Sequence, residues 1–239
     1  MGNENEHNVG DDISADKGRW SFSGKVSKTF DEHVDRSVPF YKEGHQLIVD
    51  MQEFFLQEES VCYEIGCSTG TLTKLLSENN ANKKTKYYGI DNVKEMIEVA
   101  ESKNIKNAEF LSEDIVTYEL IKSDLIVSYY TIQFIKPQLR QEVINKIYQS
   151  LNWGGGFFLF EKVRANDARF QDYLNSSYNE FKLRNNFTES EIFSKTRSLN
   201  GVLEPFSTQG NIDLLKRAGF TDIISIFKYL NFEGFLAVK

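Results

Sequence analysis

Apolar residues between Tyr41 and Leu56 recur at helical spacing. Leu47, Ile48, Met51, Phe54 and Phe55 fall on one stripe, which predicts an amphipathic helix packed on a core. The next apolar run has another period: Val61–Ile65 is short and continuous, predicting a buried strand. It ends in Gly66-Cys67-Ser68-Thr69-Gly70, ahead of a helical stripe of Leu72, Leu75 and Leu76. Strand, turn and helix then repeat. Tyr87–Ile90 predicts a second strand, followed by Asp91 and a helix over Val93–Ala100, and Ala108–Leu111 predicts a third, followed by Glu113-Asp114. Leu125–Tyr130 predicts the fourth, after which Pro137 opens a helix carrying Leu139, Val143, Ile144, Ile147 and Leu151. Beyond Gly154–Gly156, Phe157–Phe160 predicts a fifth strand. Alternation of this length implies right-handed βαβ units and a parallel sheet covered on both faces.

After Glu161 the alternation stops. Asp167–Arg184 reads as a helix with Phe170, Tyr173, Leu174, Tyr178 and Phe181 on one side. Thr188 and Glu191 have the spacing of a capping box, which starts a second helix. Arg197–Phe206 reads as a loop, and Ile212–Ala218 as a helix stopped by Gly219. Ile223–Tyr229 and Phe232–Val238 flank Asn231 closely enough to predict an antiparallel hairpin at the sheet edge. This pattern makes 19–239 a single domain, with an N-terminal helical segment over 19–57 and a helical lid insertion over 163–206. Residues 1–18 hold five acids against one Lys and read as a flexible, solvated acidic leader.

Composition narrows the class. A hydrophobic fraction of 40% and an aromatic fraction of 13%, with 3 Pro in 239 residues, suffice for a sizeable core and exclude disorder for most of the chain. The longest stretch without charge, Ile147–Phe160, contains Gln, Ser, Asn and glycines, so no membrane span is expected. The N-terminus has neither the basic start nor the apolar run of a secretory signal, so a cytoplasmic protein with reduced thiols is expected. Net charge is −7, most of it in the leader, and the near-balanced remainder offers no basic face for a phosphate backbone. Direct nucleic-acid binding is therefore not expected, and a small-molecule substrate is. The 3 His and 2 Cys show no metal-ligand spacing, so no metal is expected. Cys67 in the turn has no suggested base partner and reads as a small residue lining a ligand loop rather than a nucleophile.

In an open parallel sheet, ligands sit beyond the carboxyl ends of the strands, where the Gly66–Gly70 turn falls. Its glycines let backbone approach a ligand, and the helix that follows directs free N–H groups at the same point. Asp91 ends the next strand, where a carboxylate can accept from both hydroxyls of a ribose, and Asp114 ends the third. The turn lacks the middle glycine that a dinucleotide pyrophosphate needs, and the Gly-Lys-Ser/Thr ending of a triphosphate loop is absent. A ribose and adenine with an amino-acid tail fit better, which is S-adenosylmethionine.

From Trp20 to Lys239 the sequence resembles the class I S-adenosylmethionine-dependent methyltransferases, and within them it looks most like the carboxy-S-adenosylmethionine synthases of tRNA wobble-uridine modification. The matching stretches are Phe30-Asp31-Glu32-His33-Val34 with Arg36-Ser37-Val38-Pro39-Phe40-Tyr41, Gly66 to Gly70, Ile90-Asp91-Asn92, Thr131-Ile132-Gln133-Phe134, Glu161-Lys162, Phe181-Lys182 and Ala218-Gly219-Phe220. The resemblance implies an α/β, Rossmann-like fold: a seven-stranded, mostly parallel sheet with an antiparallel C-terminal hairpin and helices on both faces. It also implies that Tyr41 contacts the cofactor's tail, that Gly66, Cys67, Ser68 and Gly70 wrap its methionine part, and that Asp91 holds the ribose, with Asn92 and Met96 among the cofactor-binding residues. Asp114 and Ile115 would edge the adenine, and Tyr129 is the last of the cofactor-binding residues. Two positions depart from the family: its strand-four Asn aligns with Tyr129, and its carboxylate-clamping Arg aligns with Thr196, one residue before Arg197. One position on a helix is a swing of about 100°.

The resulting expectation is transfer of the cofactor's methyl group to a small-molecule acceptor, governed mainly by holding the reacting atoms in line. Glu161 as a base, Tyr130 at the acceptor pocket and Arg197 on the lid are the candidate catalytic residues. A homodimer is compatible with this reading. The alternatives are a carboxy-S-adenosylmethionine synthase using prephenate, and a non-catalytic cofactor-binding subunit.

Overall fold

Alternating strand residues send their side chains to opposite faces, so a strand apolar at every position must be covered on both sides. The computed structural model, which describes residues 7–11, 13–24 and 26–239, shows this arrangement. Five parallel strands form the centre: β3 (Val61–Ile65), β4 (Lys86–Asp91), β5 (Ala108–Ser112), β6 (Ser123–Tyr129) and β7 (Leu151–Lys162). The closing strands β8 (Asp222–Tyr229) and β9 (Phe232–Val238) pair antiparallel, and β9 also pairs antiparallel with β7. The sheet order is β5-β4-β3-β6-β7-β9-β8, so the direction of winding reverses beside β3. This is the Rossmann-like, mostly parallel seven-stranded sheet with an antiparallel C-terminal hairpin that the resemblance implies.

Tyr63, Ile126, Phe157 and Leu159 face one layer, packing with Ile144 and Ile147 of α5 (Pro137–Ser150) and Leu214 and Leu215 of α8 (Thr208–Ala218). Their neighbours Cys62, Leu125, Val127 and Phe158 face the other layer. There they meet Ile48 of α2 (Tyr41–Met51) and Leu72 and Leu76 of α3 (Thr71–Asn79). Two further helices, α1 (Val26–Ser37) and α4 (Lys94–Ser102), flank this arrangement. The inserted segment forms α6 (Ala168–Arg184) and α7 (Glu189–Ser198). Side chains fix both starts: Asp167 accepts from the Arg169 N–H, and Thr188 and Glu191 form the full capping box.

Three boundaries differ from expectation. The glycines Gly154–Gly156 do not precede the fifth strand but belong to it, so β7 starts at Leu151, which the helical stripe had claimed. Arg197 and Ser198 complete the last turn of α7 instead of opening a loop. The third difference is at the N-terminus. Among the described residues, β1 (His7–Asn8) and β2 (Ser14–Ala15) pair antiparallel, and Val9, Ile13 and Ala15 are buried with Trp20, Phe30 and Met96. This strap is tied to α7 by Gly18 N–H donating to the Arg197 carbonyl (3.0 Å) and Trp20 N–H to that of Ser198 (3.2 Å). A few apolar residues spaced among acids give no periodic signal of packing in the sequence, yet the burial of Val9, Ile13 and Ala15 makes the described part of this segment a packed element and not a solvated leader.

Candidate active site

Where the winding reverses, the loops after neighbouring strands part and leave a crevice at their carboxyl ends. A cavity of about 660 Å³ opens there, within the roughly 300–1,000 Å³ typical of small-molecule sites. Its floor begins at Gly66, whose φ is +72°; a Cβ there would stand 2.1 Å from Thr131 Oγ1, so the close approach of these two loops requires glycine. Ser68 N–H and Val93 N–H donate to the two carboxylate oxygens of Asp91, at 3.0 and 2.9 Å, and fix it at the tip of β4. Each oxygen keeps lone-pair capacity toward the cavity, as a pair of ribose hydroxyls requires. Burial raises the Asp91 pKa, and the two N–H bonds oppose that rise. Asn92, Met96, Asp114 and Ile115 continue this wall. Asp114 is exposed, and its Oδ1 accepts from the Val116 N–H at 2.9 Å.

Tyrosines form the facing wall. Alternation in a strand predicts that Tyr129 and Tyr130 point to opposite faces, yet both rings lie on the same side with centroids 4.7 Å apart. The reason is backbone: Tyr130 has φ +59°, which turns its side chain back beside Tyr129. Tyr129 donates its hydroxyl to the Tyr41 carbonyl at 2.7 Å, whereas the buried Tyr130 hydroxyl has no partner among the described residues. Trp20 and Phe22 of the strap also line the cavity.

The third wall is cationic. Lys162 Nζ and Lys182 Nζ lie 4.6 and 4.4 Å from the centre of the same Tyr178 ring. Desolvation, first, and neighbouring cations, second, lower both lysines to about 8. Lys195 is lowered to about 7, mainly by burial and then by Lys182. Its Nζ meets His33 Nε2 at 2.5 Å, and His33 Nδ1 meets Asp11 Oδ2 at 2.6 Å. Burial, with Lys195 next, lowers His33 to about 4, so the neutral ring donates from Nδ1 to Asp11 and accepts at Nε2.

The cavity thus brings together Tyr41, Gly66, Ser68, Asp91, Asn92, Met96, Asp114, Ile115, Tyr129 and Tyr130 of the residues predicted from sequence. Four others lie elsewhere. Cys67 is buried, its sulfur packed toward Gly89 of β4, and burial pushes its thiol pKa up, so its side chain is a filler beneath the turn. Gly70 caps α3 at φ +73°; a Cβ there would meet the Phe110 ring at 2.8 Å, so it serves helix packing. Glu161 alternates with Lys162 along β7 and points into the opposite layer, where burial raises it to about 8 against the pull of Arg140. Arg197 lies outside the cavity with its guanidinium 5.4 Å from the centre of the Phe193 ring, while Lys195 and Thr196 face inward. Lys162, Lys182, Asn231, Trp20 and Phe22 were not selected as site residues; a period-two reading of Glu161-Lys162 would have exchanged the acid for the lysine.

The residues present fit S-adenosylmethionine: a glycine floor, a positioned carboxylate for the ribose, and a partly apolar adenine edge at Met96 and Ile115. Fold and site together define a class I S-adenosylmethionine-dependent methyltransferase, an enzyme class for which S-adenosylmethionine is the cofactor. Residues 63–155 match the family model described as a methyltransferase domain. The chain is 40% identical to the carboxy-S-adenosyl-L-methionine synthase of Staphylococcus epidermidis, over 92% of this chain and 97% of that one. It is 35% identical to the enzyme of the same name from Campylobacter lari, over 92% and 95%. An O-methyltransferase structure from Nostoc punctiforme shares the fold with a TM-score of 0.65 at 14% identity, covering 93% of this chain and 64% of that one. An S-adenosyl-L-methionine-dependent methyltransferase structure from Methanococcus maripaludis does so with a TM-score of 0.61 at 19% identity, covering 92% and 95%. This chain belongs to the carboxy-S-adenosyl-L-methionine synthase family. Among the described residues no group of His, Cys, Asp or Glu is arranged to hold a metal ion, and no helix is long and apolar enough to cross a membrane.

Proposed function

We propose that this chain makes carboxy-S-adenosyl-L-methionine: the bond between the ring and a carboxylate of the small molecule prephenate breaks, that carboxylate joins the methyl carbon of S-adenosylmethionine, and the methyl proton leaves with the donor's ring hydroxyl as water, so that the donor ends as an aromatic keto acid. The observation that carries this reading is the extent of the similarity, which runs through the N-terminal helices and the inserted segment as well as the common sheet. When bound, the cofactor would supply a methyl carbon whose protons the adjacent sulfonium acidifies, which lets that carbon take up the carboxyl group. The chain's own residues hold the ribose at Asp91, cover the reacting end with Tyr41 and Tyr130, and exclude water beneath Trp20 and Phe22. The lysine wall suits an anionic partner, because an anion there offsets the cost of three partly or fully desolvated ammoniums.

A second reading is methyl transfer to a small-molecule acceptor. It is favoured by one observation: Arg197, the guanidinium next to the family's clamp position, does not line the cavity. Mass spectrometry separates the two. Protein incubated with S-adenosylmethionine and prephenate is expected to yield a cofactor heavier by one carbon dioxide. Recovery of unaltered S-adenosylmethionine from both the purified protein and the prephenate incubation would remove the first reading and leave the second.

A further inference from the structure

The lysine wall adjoins a second unusual feature. Asn231 is fully buried at the turn between β8 and β9, borders the cavity, and has no partner for either its side-chain oxygen or nitrogen among the described residues. A buried amide without partners is costly, so a position that keeps one calls for an explanation. It is held there by backbone: the Asn231 carbonyl accepts from the Val163 N–H at 2.7 Å, which sets Asn231 beside Lys162. The Tyr130 hydroxyl is the neighbouring orphan, its ring 5.7 Å from Phe232, the residue after Asn231. Lys162 and Lys182 approach the same Tyr178 ring, and neither forms an ion pair with a carboxylate among the described residues. Two cations, an amide and a hydroxyl, all short of partners, therefore border one end of the cavity. The acids Asp91, Glu113 and Asp114 belong to the nucleoside end.

Resting on the reading of this chain as a carboxylating enzyme, we propose that Lys162, Lys182, Asn231 and the Tyr130 hydroxyl form a seat for a carboxylate of the donor, separate from Asp91 and the other residues that hold the cofactor's nucleoside. The two ammoniums neutralise the anion, and the amide nitrogen and phenol supply oriented donors to its oxygens. The Tyr178 ring fixes the spacing of the lysines, so the seat selects an organic acid over a neutral acceptor.

The test compares wild type with Lys182→Met, which keeps the length and apolar contacts of the side chain, and Asn231→Asp, which keeps the turn carbonyl but puts a negative charge in the seat. Melting temperatures establish that both fold. Each is expected to raise the half-saturating concentration of prephenate about tenfold or more, with the affinity for S-adenosylmethionine measured by calorimetry changed less than about twofold. Lys182→Arg is expected to recover part of the loss. Direct calorimetric titration of cofactor-saturated protein with prephenate keeps the seat testable if no carboxylated product forms. Binding by wild type that Lys182→Met weakens supports the seat whatever the reaction. Unchanged prephenate binding in both folded variants, no binding by wild type, or an equal loss of cofactor and prephenate affinity would overturn it, the last by assigning the lysines to the cofactor's own carboxylate.

Discussion

Glu64 is the penultimate residue of β3, just before the glycine turn, and is buried, with the Thr73 hydroxyl donating to its carboxylate. Burial pushes its pKa from 4.5 to about 8. A carboxyl that holds its proton more tightly when folded contributes stability that is complete below the unfolded value near 4.5 and is lost as pH rises to about 8. Glu64→Gln removes that dependence while keeping an acceptor for Thr73. The melting temperature of the variant relative to wild type is therefore expected to climb by about 5 °C between pH ~5 and ~9, measured on ligand-free protein. A constant difference would place Glu64 at its ordinary value. At this scale the sequence was legible where a residue's place follows from the end of a strand, as for Ser68 and Asp91. It was illegible where orientation depended on one backbone angle or on strand parity: the left-handed Tyr130 and Glu161, buried in the opposite layer, are the two cases.

The elements with long, regular patterns were read correctly in kind because burial enforces their period. Both faces of β3 and β6 are covered, so their apolar runs could not be mistaken for surface. The β1–β2 strap has two-residue strands, too short to show any period, and its packing comes from residues far along the chain. His33 joins it to α7 through Asp11 and Lys195, and Arg36 pairs with the same Asp11. Deleting residues 1–18 removes buried Val9, Ile13 and Ala15 together with Asp11. With about 1.5–3 kcal/mol for each fully buried larger side chain, the truncated protein is expected to melt at least about 5 °C below the full chain in a thermal scan. A melting temperature within a degree of wild type would show that the strap adds no stability.

No single stretch of chain builds the cavity. The sheet supplies its floor, the inserted helices with Lys162 of β7 its cationic wall and the strap its cover, so the nucleoside end and the lysine end are assembled from separate segments of the chain. The cover has one more property. Of the 2 tryptophans, Trp153 is 89% exposed on β7, whereas Trp20 is 8% exposed, borders the cavity and has Lys195 Nζ 5.3 Å from its ring. Iodide in solution therefore quenches the emission of Trp153 and spares that of Trp20, leaving a fluorescence signal from the cavity alone. An indole beside an ammonium emits at a wavelength set by that local charge, so an anion or nucleoside entering the site is expected to shift the iodide-resistant band. The shift should persist in Trp153→Phe and vanish in Trp20→Phe; its survival in the latter would place the reporting group elsewhere. The strap thus equips the unlabelled enzyme with an optical readout of its own occupancy, fast enough for stopped-flow measurement of how ligands enter and leave.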